Sequence, residues 1–260
     1  MEPMVNIALR AARKAGNLIA RASDDLTRLR FEAKGKADFV TEVDLASEQE
    51  LITNLQKTYS DHAFICEEGG RTGPEDSEFV WIIDPLDGTS NFMRGIPHYC
   101  ISMACLRNGK LEHAIILDPV RQEEFTASRG RGAQLNGRRI RVSDRTDLKE
   151  CLIGTGTPFL GQSEDRMDWY LKGLGEVAGN SMGIRRAGAA ALDLAYVAAG
   201  RLDGFWEAGL KPWDLAAGTL LVRESGGLVT DFKGSDNVLE GGDVICANPR
   251  LLKQLAAAIR

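Results

Sequence analysis

The sequence predicts an α/β protein in which helices cover layered sheets. Two patterns support this: segments with helical periodicity are mixed with strand-like segments along the whole chain, and both hairpins and helical crossovers occur. A third observation is that no internal repeat or low-complexity linker divides the 260 residues. A chain of this length can form one large α/β domain or two small ones.

The first half of the chain contains both kinds of element. The first predicted elements are an amphipathic helix over about residues 4–22, a strand in "RLRFEAK" and a helix from Val43 to about Thr58. Two strands follow, one in "HAFICEEGG" that ends at Glu67 and Glu68, and one in "FVWIID". The segment "YCISMACLRNGKLEHAIILDPV" predicts a hairpin with its turn at Asn108-Gly109, and "EEFTASRGRGAQLNGRRIRV" predicts short antiparallel strands with glycine turns.

The second half alternates strands and helices. The predicted elements begin with a strand in "CLIGTGTP" and a helix over about 165–177. A helix of small residues in "GAAALDLAYVAAG" is closed by Gly200 and followed by a strand. A further helix runs from about Asp214 to Gly226-Gly227, and the last helix has Asn248 as cap and Pro249 in its first turn. The small residues favour close packing of that helix against its neighbours.

Composition excludes several classes of function. The five cysteines are scattered without a C-x-x-C pair, which favours reduced, mostly buried thiols over disulfides or zinc. Only three histidines are present and none has ligand spacing, so any metal is expected to be a hard cation on oxygen ligands. A net charge of −5 argues against general nucleic-acid binding. No apolar run approaches the roughly 18 residues of a membrane span, and the first residues do not resemble a secretory signal, so we expect a cytoplasmic protein.

Carboxylates stand at strand ends or helix starts in four segments. These are "DFVTEVD" with Asp38 and Asp44, "CEEGG" with Glu67 and Glu68, "DPLDGT" with Asp84 and Asp87, and "WDLAAG" with Asp214. One such acid is usually a helix cap or a solvated turn. Four together, in a chain poor in histidine, suggest a cluster of oxygen ligands for Mg²⁺.

The segment "DPLDGT" joins a predicted metal site to a predicted phosphate site. Proline fixes the backbone after Asp84, so the Leu86 carbonyl can face the same side as the carboxylates of Asp84 and Asp87. Those carboxylates repel each other unless a cation lies between them. Gly88 and Thr89 follow at a predicted helix start, where free N–H groups bind anions. This arrangement is typical of phosphoryl transfer.

Alternatives remain open for individual acids. Thr41 and Asp44 fit a capping box, in which Asp44 only satisfies backbone donors, and Asp214 can be a first-turn acid that favours the helix dipole. Glu67 and Glu68 are adjacent at a strand end, so only one is expected to face the site. Haloacid-dehalogenase-type phosphatases also place two acids before Gly-Thr, but their acids are two positions apart, whereas Asp84 and Asp87 are three apart.

The ordered motifs "DFVTEVD", "EEGG", "WIIDPLDGTSNF" and "WDLAAG" resemble those of the inositol monophosphatases, a family of Mg²⁺-dependent, lithium-sensitive phosphatases. The resemblance covers nearly the whole chain, and "ALDLAYVAAGRLDGFWE" is most similar to the bacterial SuhB type of the family. It implies a layered α-β-α-β-α sandwich forming a single domain over 1–260, with an N-terminal half of about 1–145 and a C-terminal half of about 146–260.

The resemblance also implies roles for individual residues. Two to three Mg²⁺ ions would bind: one at Glu67, Asp84 and the Leu86 carbonyl, one at Asp84, Asp87 and Asp214, and a looser third near Glu67. Asp44 and Thr89 would orient the attacking water, with Glu67 contributing to catalysis. Substrate would contact Leu86, Asp87, Gly88, Thr89, Arg185, Ala190, Glu207 and Asp214. The "GTGTPF" loop aligns only loosely, so Thr155 and Thr157 are not assigned.

The implied activity is hydrolysis of inositol 1-phosphate or a similar polyol monophosphate by a homodimer, without a covalent intermediate. For the SuhB type, the resemblance implies a second role with Nus factors and RNA polymerase in ribosomal RNA antitermination. The residues add one observation, a basic segment that contains Arg129, Arg131, Arg138, Arg139 and Arg141. Such a segment can also be an ordinary solvated strand pair.

Overall fold

The computed structural model describes residues 2–26, 31–35, 38–158 and 164–260. Within these ranges the helices are α1 (Pro3–Ser23), α2 (Glu42–Gln56), α3 (Thr89–Met93), α4 (Met167–Asn180), α5 (Ala190–Ala198), α6 (Pro212–Glu224), α7 (Val238–Gly241) and α8 (Leu252–Ala258), with 3-10 turns at Leu148–Glu150 and Glu164–Arg166.

The described strands form three sheets. They are β1 (Phe31–Gly35), β2 (Asp38–Thr41), β3 (Ala63–Cys66), β4 (Gly70–Thr72), β5 (Phe79–Asp87), β6 (Cys100–Arg107), β7 (Lys110–Asp118), β8 (Glu123–Ser128), β9 (Gly132–Leu135), β10 (Arg138–Arg139), β11 (Leu152–Thr155), β12 (Gly183–Arg185), β13 (Gly204–Glu207), β14 (Leu228–Thr230) and β15 (Val244–Ala247). β1 and β2 form an antiparallel pair. The large sheet has the order β10-β9-β8-β7-β6-β5-β3-β4, and the small sheet has the order β12-β11-β13-β15-β14. Both larger sheets mix parallel and antiparallel pairs.

Three hydrophobic cores separate five layers. One core lies between the large sheet and the helices α1 and α2, with Leu9, Leu51 and Trp81 fully buried. The second lies between the opposite face of the large sheet, α5, α6 and the small sheet. The third lies between the small sheet and the helices α4 and α8. This order is the expected α-β-α-β-α sandwich.

Small residues bring the two central helices close together, as predicted. A Cβ atom added at Gly218 of α6 would lie 2.5 Å from the Leu194 Cβ of α5. A larger side chain at Gly218 or at Leu194 would therefore push the two helices apart. The second core depends on this contact, because α5 and α6 together fill the space between the two sheets.

Most predicted elements are confirmed. The hairpin turn has positive φ at Asn108 and Gly109, as a type I′ turn requires. All five cysteines are free and buried, as their scatter predicts. Residues 28–30 of the predicted "RLRFEAK" strand lie outside the described residues, while the rest falls in β1.

The predicted cap residue of the last helix, Asn248, makes cap hydrogen bonds, but the helix begins later than predicted. The Asn248 Oδ1 atom accepts hydrogen bonds from the backbone N–H groups of Arg250 and Leu251, at 2.9 and 3.0 Å. The Asn248 carbonyl also accepts from the Leu252 N–H at 3.0 Å, so the residues from Asn248 form a turn that leads into α8. The helix itself begins at Leu252, and Pro249 precedes it. Among the described residues, none of the helices is long and apolar enough to cross a membrane.

Candidate active site

Three carboxylates meet where β5 ends beside the first turn of α6. Oxygen atoms of Asp84, Asp87 and Asp214 lie within 4.8 Å of one another. Asp84 and Asp87 are buried, and Asp214 is partly exposed. This donor set consists of closely spaced carboxylate oxygens, which suits a hard divalent cation and not a soft one.

Two hydrogen bonds fix the backbone between the first two acids. The pairing of β5 with β6 is interrupted between Asp84 and Asp87, and the Asp84 Oδ1 atom accepts from the Leu86 N–H at 2.9 Å. The Pro85 carbonyl accepts from the Ser47 hydroxyl of α2 at 2.9 Å. Sequence reasoning did not select Ser47, because only the folded chain brings α2 against this turn.

Burial and mutual repulsion raise the pKa of all three carboxyl groups. For Asp84 the pKa lies well above its usual value, first because of burial and then because of the charges of Glu67, Asp87 and Asp214. For Asp87 burial raises the pKa to about 7, although a hydrogen bond from the Ala191 N–H opposes the shift. For Asp214 removal from water and then the charge of Asp87 raise the pKa to about 7. A bound cation would relieve this repulsion.

Glu67 lies at the end of β3, the parallel neighbour of β5, and its N–H donates to the Ile83 carbonyl at 3.1 Å. Its charge contributes to the raised pKa of both Asp84 and Asp87. The adjacent loop is held by the buried Glu48 of α2, which accepts from the N–H groups of Glu68 and Gly69 at 3.0 and 2.8 Å. Sequence reasoning missed Glu48 because helical periodicity alone does not distinguish it from other acids of α2.

Asp44 acts as a helix cap and also contacts Thr89. Its Oδ2 atom accepts from the Thr41 N–H at 2.9 Å and from the Thr41 hydroxyl. Its Oδ1 atom lies 3.0 Å from the Thr89 Oγ1 atom, which is also 3.0 Å from the Leu86 carbonyl. Burial raises the pKa of Asp44, against the effect of these hydrogen bonds. The two interpretations of Asp44 are therefore compatible.

Gly88 precedes Thr89 in a left-handed conformation with φ of 94°. A Cβ atom there would lie 3.0 Å from the His98 carbonyl oxygen and 3.2 Å from the Ala189 Cβ. Both the backbone conformation and the close approach therefore require glycine.

The small-sheet side of the site begins at α5. Ala190 is the first residue of α5, and the next N–H, of Ala191, donates to the Asp87 Oδ2 atom at 2.8 Å. Glu207, buried at the end of β13, has its pKa raised well above the usual value by burial, then by the charges of Asp193 and Asp214. Its carboxyl group lies directly against Gly156, where an added Cβ would be 1.7 Å from the Glu207 Oε1 atom.

The two arginines before α5 differ in their contacts. Arg185 is exposed, and its Nη1 atom donates to the Ile184 carbonyl at 3.0 Å. The Arg186 Nη2 atom donates to the Thr157 hydroxyl at 3.0 Å, and its charge lowers the pKa of Glu207. Sequence reasoning selected Arg185 and not Arg186, because a pair of adjacent arginines does not indicate which one lies nearer to a distant carboxylate.

The basic segment is divided between paired and exposed arginines. Arg129 forms an ion pair with Glu112, and Arg131 forms one with Glu2 at 3.0 Å. Arg138 and Arg139 are exposed on β10, the edge strand of the large sheet.

Comparison with known proteins gives a consistent family relationship. The profile of the inositol monophosphatase family matches residues 1–260. The chain is 55% identical to the Nus factor SuhB of Pseudomonas aeruginosa, covering 100% of this chain and 97% of that protein, and 48% identical to the Nus factor SuhB of Escherichia coli with the same coverage. Its structure is similar to that of the extragenic suppressor protein SuhB from Bartonella henselae, with a TM-score of 0.96, 42% identity, and coverage of 100% and 99%. An inositol monophosphatase from Anabaena (Nostoc) gives a TM-score of 0.83 at 33% identity, covering 98% of this chain and 94% of that one.

Proposed function

The chain belongs to the inositol monophosphatase family, and from that premise we propose that it is a phosphatase that hydrolyses inositol 1-phosphate or a similar polyol monophosphate. The observation that carries the proposal is the cluster of Asp84, Asp87 and Asp214 next to the pair of Asp44 and Thr89. Such a cluster supplies charge for metal ions, and the pair supplies a hydroxyl and a carboxylate for handling water.

We assign two to three Mg²⁺ ions to the acidic cluster. Glu67, Asp84 and the Leu86 carbonyl would hold the first ion, and Asp84, Asp87 and Asp214 the second. A third, weaker ion would lie near Glu67. When bound, the ions supply Lewis acidity and make water more acidic at neutral pH. Every other contribution comes from protein groups.

Thr89 and Asp44 would orient the attacking water. A hydroxyl has one proton, and the Thr89 hydroxyl can donate it either to Asp44 or to the Leu86 carbonyl, which are both 3.0 Å away. If the Leu86 carbonyl is a metal ligand, donation to Asp44 is preferred. The Thr89 oxygen then accepts a hydrogen bond from water and fixes its position for in-line attack on phosphorus.

The remaining groups would bind the two ends of the substrate, its phosphate and its polyol. Backbone N–H groups of Gly88 and Thr89 would bind the phosphate. Glu207 would accept hydrogen bonds from hydroxyl groups of the polyol, with Ala190 and Arg185 lining the same pocket and Arg186 nearer to the Glu207 carboxyl group. A buried carboxyl group that must accept hydrogen bonds favours substrates rich in hydroxyls over those that present only carbon.

A substrate panel tests the proposal. Phosphate release is measured with inositol 1-phosphate, fructose bisphosphate, 2′-AMP and adenosine 3′,5′-bisphosphate, before and after chelation of divalent cations. We expect inositol 1-phosphate to have the largest kcat/KM and chelation to abolish turnover, with recovery on adding Mg²⁺. Preference for a bisphosphate would contradict the substrate assignment, and full activity after chelation would contradict the metal assignment.

Lithium tests the use of two ions. Li⁺ is small and accepts oxygen ligands, but its single charge stabilises a leaving oxygen poorly. We expect Li⁺ to inhibit uncompetitively with respect to substrate. An enzyme with one Mg²⁺ and an aspartyl phosphate lacks the second position, so unchanged turnover in millimolar Li⁺ would exclude the two-ion assignment.

A second role is favoured by the names of the relatives, which are Nus factors at 48% and 55% identity over the whole chain. We propose that this protein, as a cytoplasmic homodimer, also associates with Nus factors and RNA polymerase. The exposed Arg138 and Arg139 on the edge strand provide a charged surface for that contact.

Charge reversal separates the two roles. The double variant R138E/R139E should lose co-purification with RNA polymerase and keep phosphatase activity. The matched control R10E/K253E makes the same change in charge at exposed positions elsewhere and should keep both. Retention of polymerase by R138E/R139E would show that this surface is not the contact, and sedimentation of the purified protein measures the homodimer.

A further inference from the structure

The side chain of Asn91 joins three segments around the candidate site. Asn91 lies in α3 and is only 8% exposed. Its Nδ2 atom donates to the His98 carbonyl at 2.8 Å and to the Ala187 carbonyl at 2.9 Å, with the Gly188 carbonyl at 3.4 Å. An amide has two N–H donors, and both are used here.

Asn91 is the last of three successive contacts between the β5–α3 segment and the segment that leads into α5. The first is the hydrogen bond from the Ala191 N–H to Asp87. The second is the close packing of Gly88 against Ala189. The two segments run in opposite directions, so residue numbers rise along one while they fall along the other. The contact between Asn91 and Ala187 is therefore at the end of the junction.

This junction joins the two segments that carry the ends of the proposed pocket. Gly88 and Thr89, which would bind phosphate, lie on the β5–α3 segment. Ala190, which would line the hydroxyl end, lies where the other segment enters α5. The distance between the two ends therefore depends on the contacts that join the segments, and Asn91 makes the only side-chain amide contact that the described residues show there.

Other residue types would not replace the amide. A carboxylate has no donor and would repel the two carbonyl groups, and a hydroxyl has only one donor. The turn is also fitted to Asn91, because Gly188 has φ of +91° and a Cβ atom there would lie 3.2 Å from the Asn91 Nδ2 atom. Leaving the partly buried His98 and Ala187 carbonyls without their donor would let the turn move away.

We propose that Asn91 is a positioning residue that sets the span between the phosphate end and the hydroxyl end of the pocket. Through that span it determines selectivity for polyol monophosphates, which use both ends, over phosphate esters that use only the phosphate end. The inference rests on the proposed phosphatase function and concerns the same site.

The test compares two substrates in two variants and a control. Asn91→Asp keeps the shape and removes both donors, and Asn91→Ala removes them without adding charge. Asn248→Asp is the matched control: Asn248 is 6% exposed and its Nδ2 atom donates to the Arg145 carbonyl at 2.7 Å, far along the chain from the site. The substrates are inositol 1-phosphate and p-nitrophenyl phosphate, which lacks hydroxyls on its leaving group.

In both Asn91 variants we expect the ratio of kcat/KM for inositol 1-phosphate to that for p-nitrophenyl phosphate to fall about 10-fold or more, the size of a lost buried hydrogen bond. The control should keep the wild-type ratio. Hydrogen exchange in metal-free protein should accelerate at residues 187–191 in the Asn91 variants and stay normal there in the control.

An unchanged ratio in both Asn91 variants, or an equal change in the control, would overturn the proposal. Unchanged exchange at residues 187–191 would also overturn it, because the turn would then not depend on the amide. Failure of the proposed function is distinct, since wild-type protein would then not hydrolyse inositol 1-phosphate, whatever the exchange data show.

Discussion

The starts of α2 and α6 make the same local hydrogen bond, but the side chains around the two aspartates differ. In each helix an aspartate in the third position accepts the N–H of the residue before the helix: Thr41 donates to Asp44 at 2.9 Å, and Lys211 donates to Asp214 at 2.7 Å. The second oxygen of Asp44 meets a hydroxyl, that of Thr89. Asp214 instead lies among the carboxylates of Asp84 and Asp87.

This difference separates two chemical tasks that the shared hydrogen bond at the two helix starts conceals. A buried carboxylate beside a hydroxyl can orient a proton, and its pKa is raised by burial but held down by donors from Thr41 and Thr89. Asp214, a carboxylate among carboxylates, has its pKa raised by burial and then by repulsion from Asp87, and a cation removes that repulsion. The local motif determines that an acid is present, and the neighbours determine what that acid can do.

The largest expected effect comes from removing the charge at α6. Asp214→Asn keeps an oxygen that can cap the helix but removes an anionic ligand, so we expect kcat to fall on the order of 10³-fold or more at saturating Mg²⁺. The fold should persist, because repulsion within the cluster decreases. Steady-state kinetics and circular dichroism measure the two effects, and near-wild-type turnover would show that Asp214 acts only as a cap.

Thr89→Val removes the group that distinguishes Asp44 from an ordinary cap. The side chain keeps its shape and loses the hydroxyl that would orient water, so we expect kcat to fall on the order of 10²-fold with little change in KM. Thr126→Val, a buried threonine in β8 away from the acids, is the control. A change confined to KM would indicate that Thr89 only binds substrate.

The pH dependence of stability tests the repulsion within the acidic cluster, which distinguishes Asp214 from Asp44, without mutation of Asp44. The folded-state pKa values of Asp87 and Asp214 are about 7, above the roughly 4 of an unfolded chain. Folded protein therefore holds these protons over a range where unfolded protein has lost them, so metal-free stability decreases as pH rises from about 4 to about 7.

Thermal unfolding of metal-free protein between pH 5 and pH 8 measures this effect. We expect Tm to be lower at pH 8 than at pH 5, and the slope to become smaller in Asp214→Asn but not in the exposed-site control Asp144→Asn. Added Mg²⁺ should raise Tm most at the alkaline end, because the cation binds ionised carboxylates. A Tm that increases with pH in metal-free protein would contradict the assigned repulsion.

The smallest effect is expected from making the α2 start resemble the α6 start. The Thr41 hydroxyl accepts from the Val43 and Asp44 N–H groups at 3.1 and 3.4 Å, and the α6 start has no side chain in that role. Thr41→Val should cost about 1 kcal/mol of unfolding free energy, as for other lost caps. Denaturant titration measures it, and activity should decrease far less than in Thr89→Val if Thr89 is the more important partner of Asp44.

Local patterns were sufficient to predict much of the fold. Alternation and turn chemistry located the hairpin at Asn108-Gly109, and small residues marked the close packing of α5 on α6, because those signals lie within short segments. The acids of the cluster were also recognisable, since each follows an apolar strand or begins a helix. Asn248 makes the predicted cap hydrogen bonds, but α8 begins later than predicted, at Leu252, with a turn between the two.

Residues that depend on distant partners could not be found in this way. Ser47 and Glu48 acquire their contacts only when α2 packs on the β5 turn and on the loop after β3. Arg186 acquires its contact only when the turn before α5 approaches Thr157. Asn91 lies inside a recognised motif, but its acceptors at His98 and Ala187 come from other segments. Sequence spacing carries no information about which carbonyl groups will face a given amide.

The contact between Gly156 and Glu207 restricts how this pocket can change over evolutionary time. While Glu207 remains, position 156 cannot gain even a methyl group, because the new carbon would overlap the carboxyl group. The two positions therefore form one unit of variation: a larger residue at 156 requires a shorter one at 207, and the hydroxyl-accepting group is lost in the same step. Relatives that acquired new substrates through this wall would have passed through paired replacements or through intermediates with impaired folding.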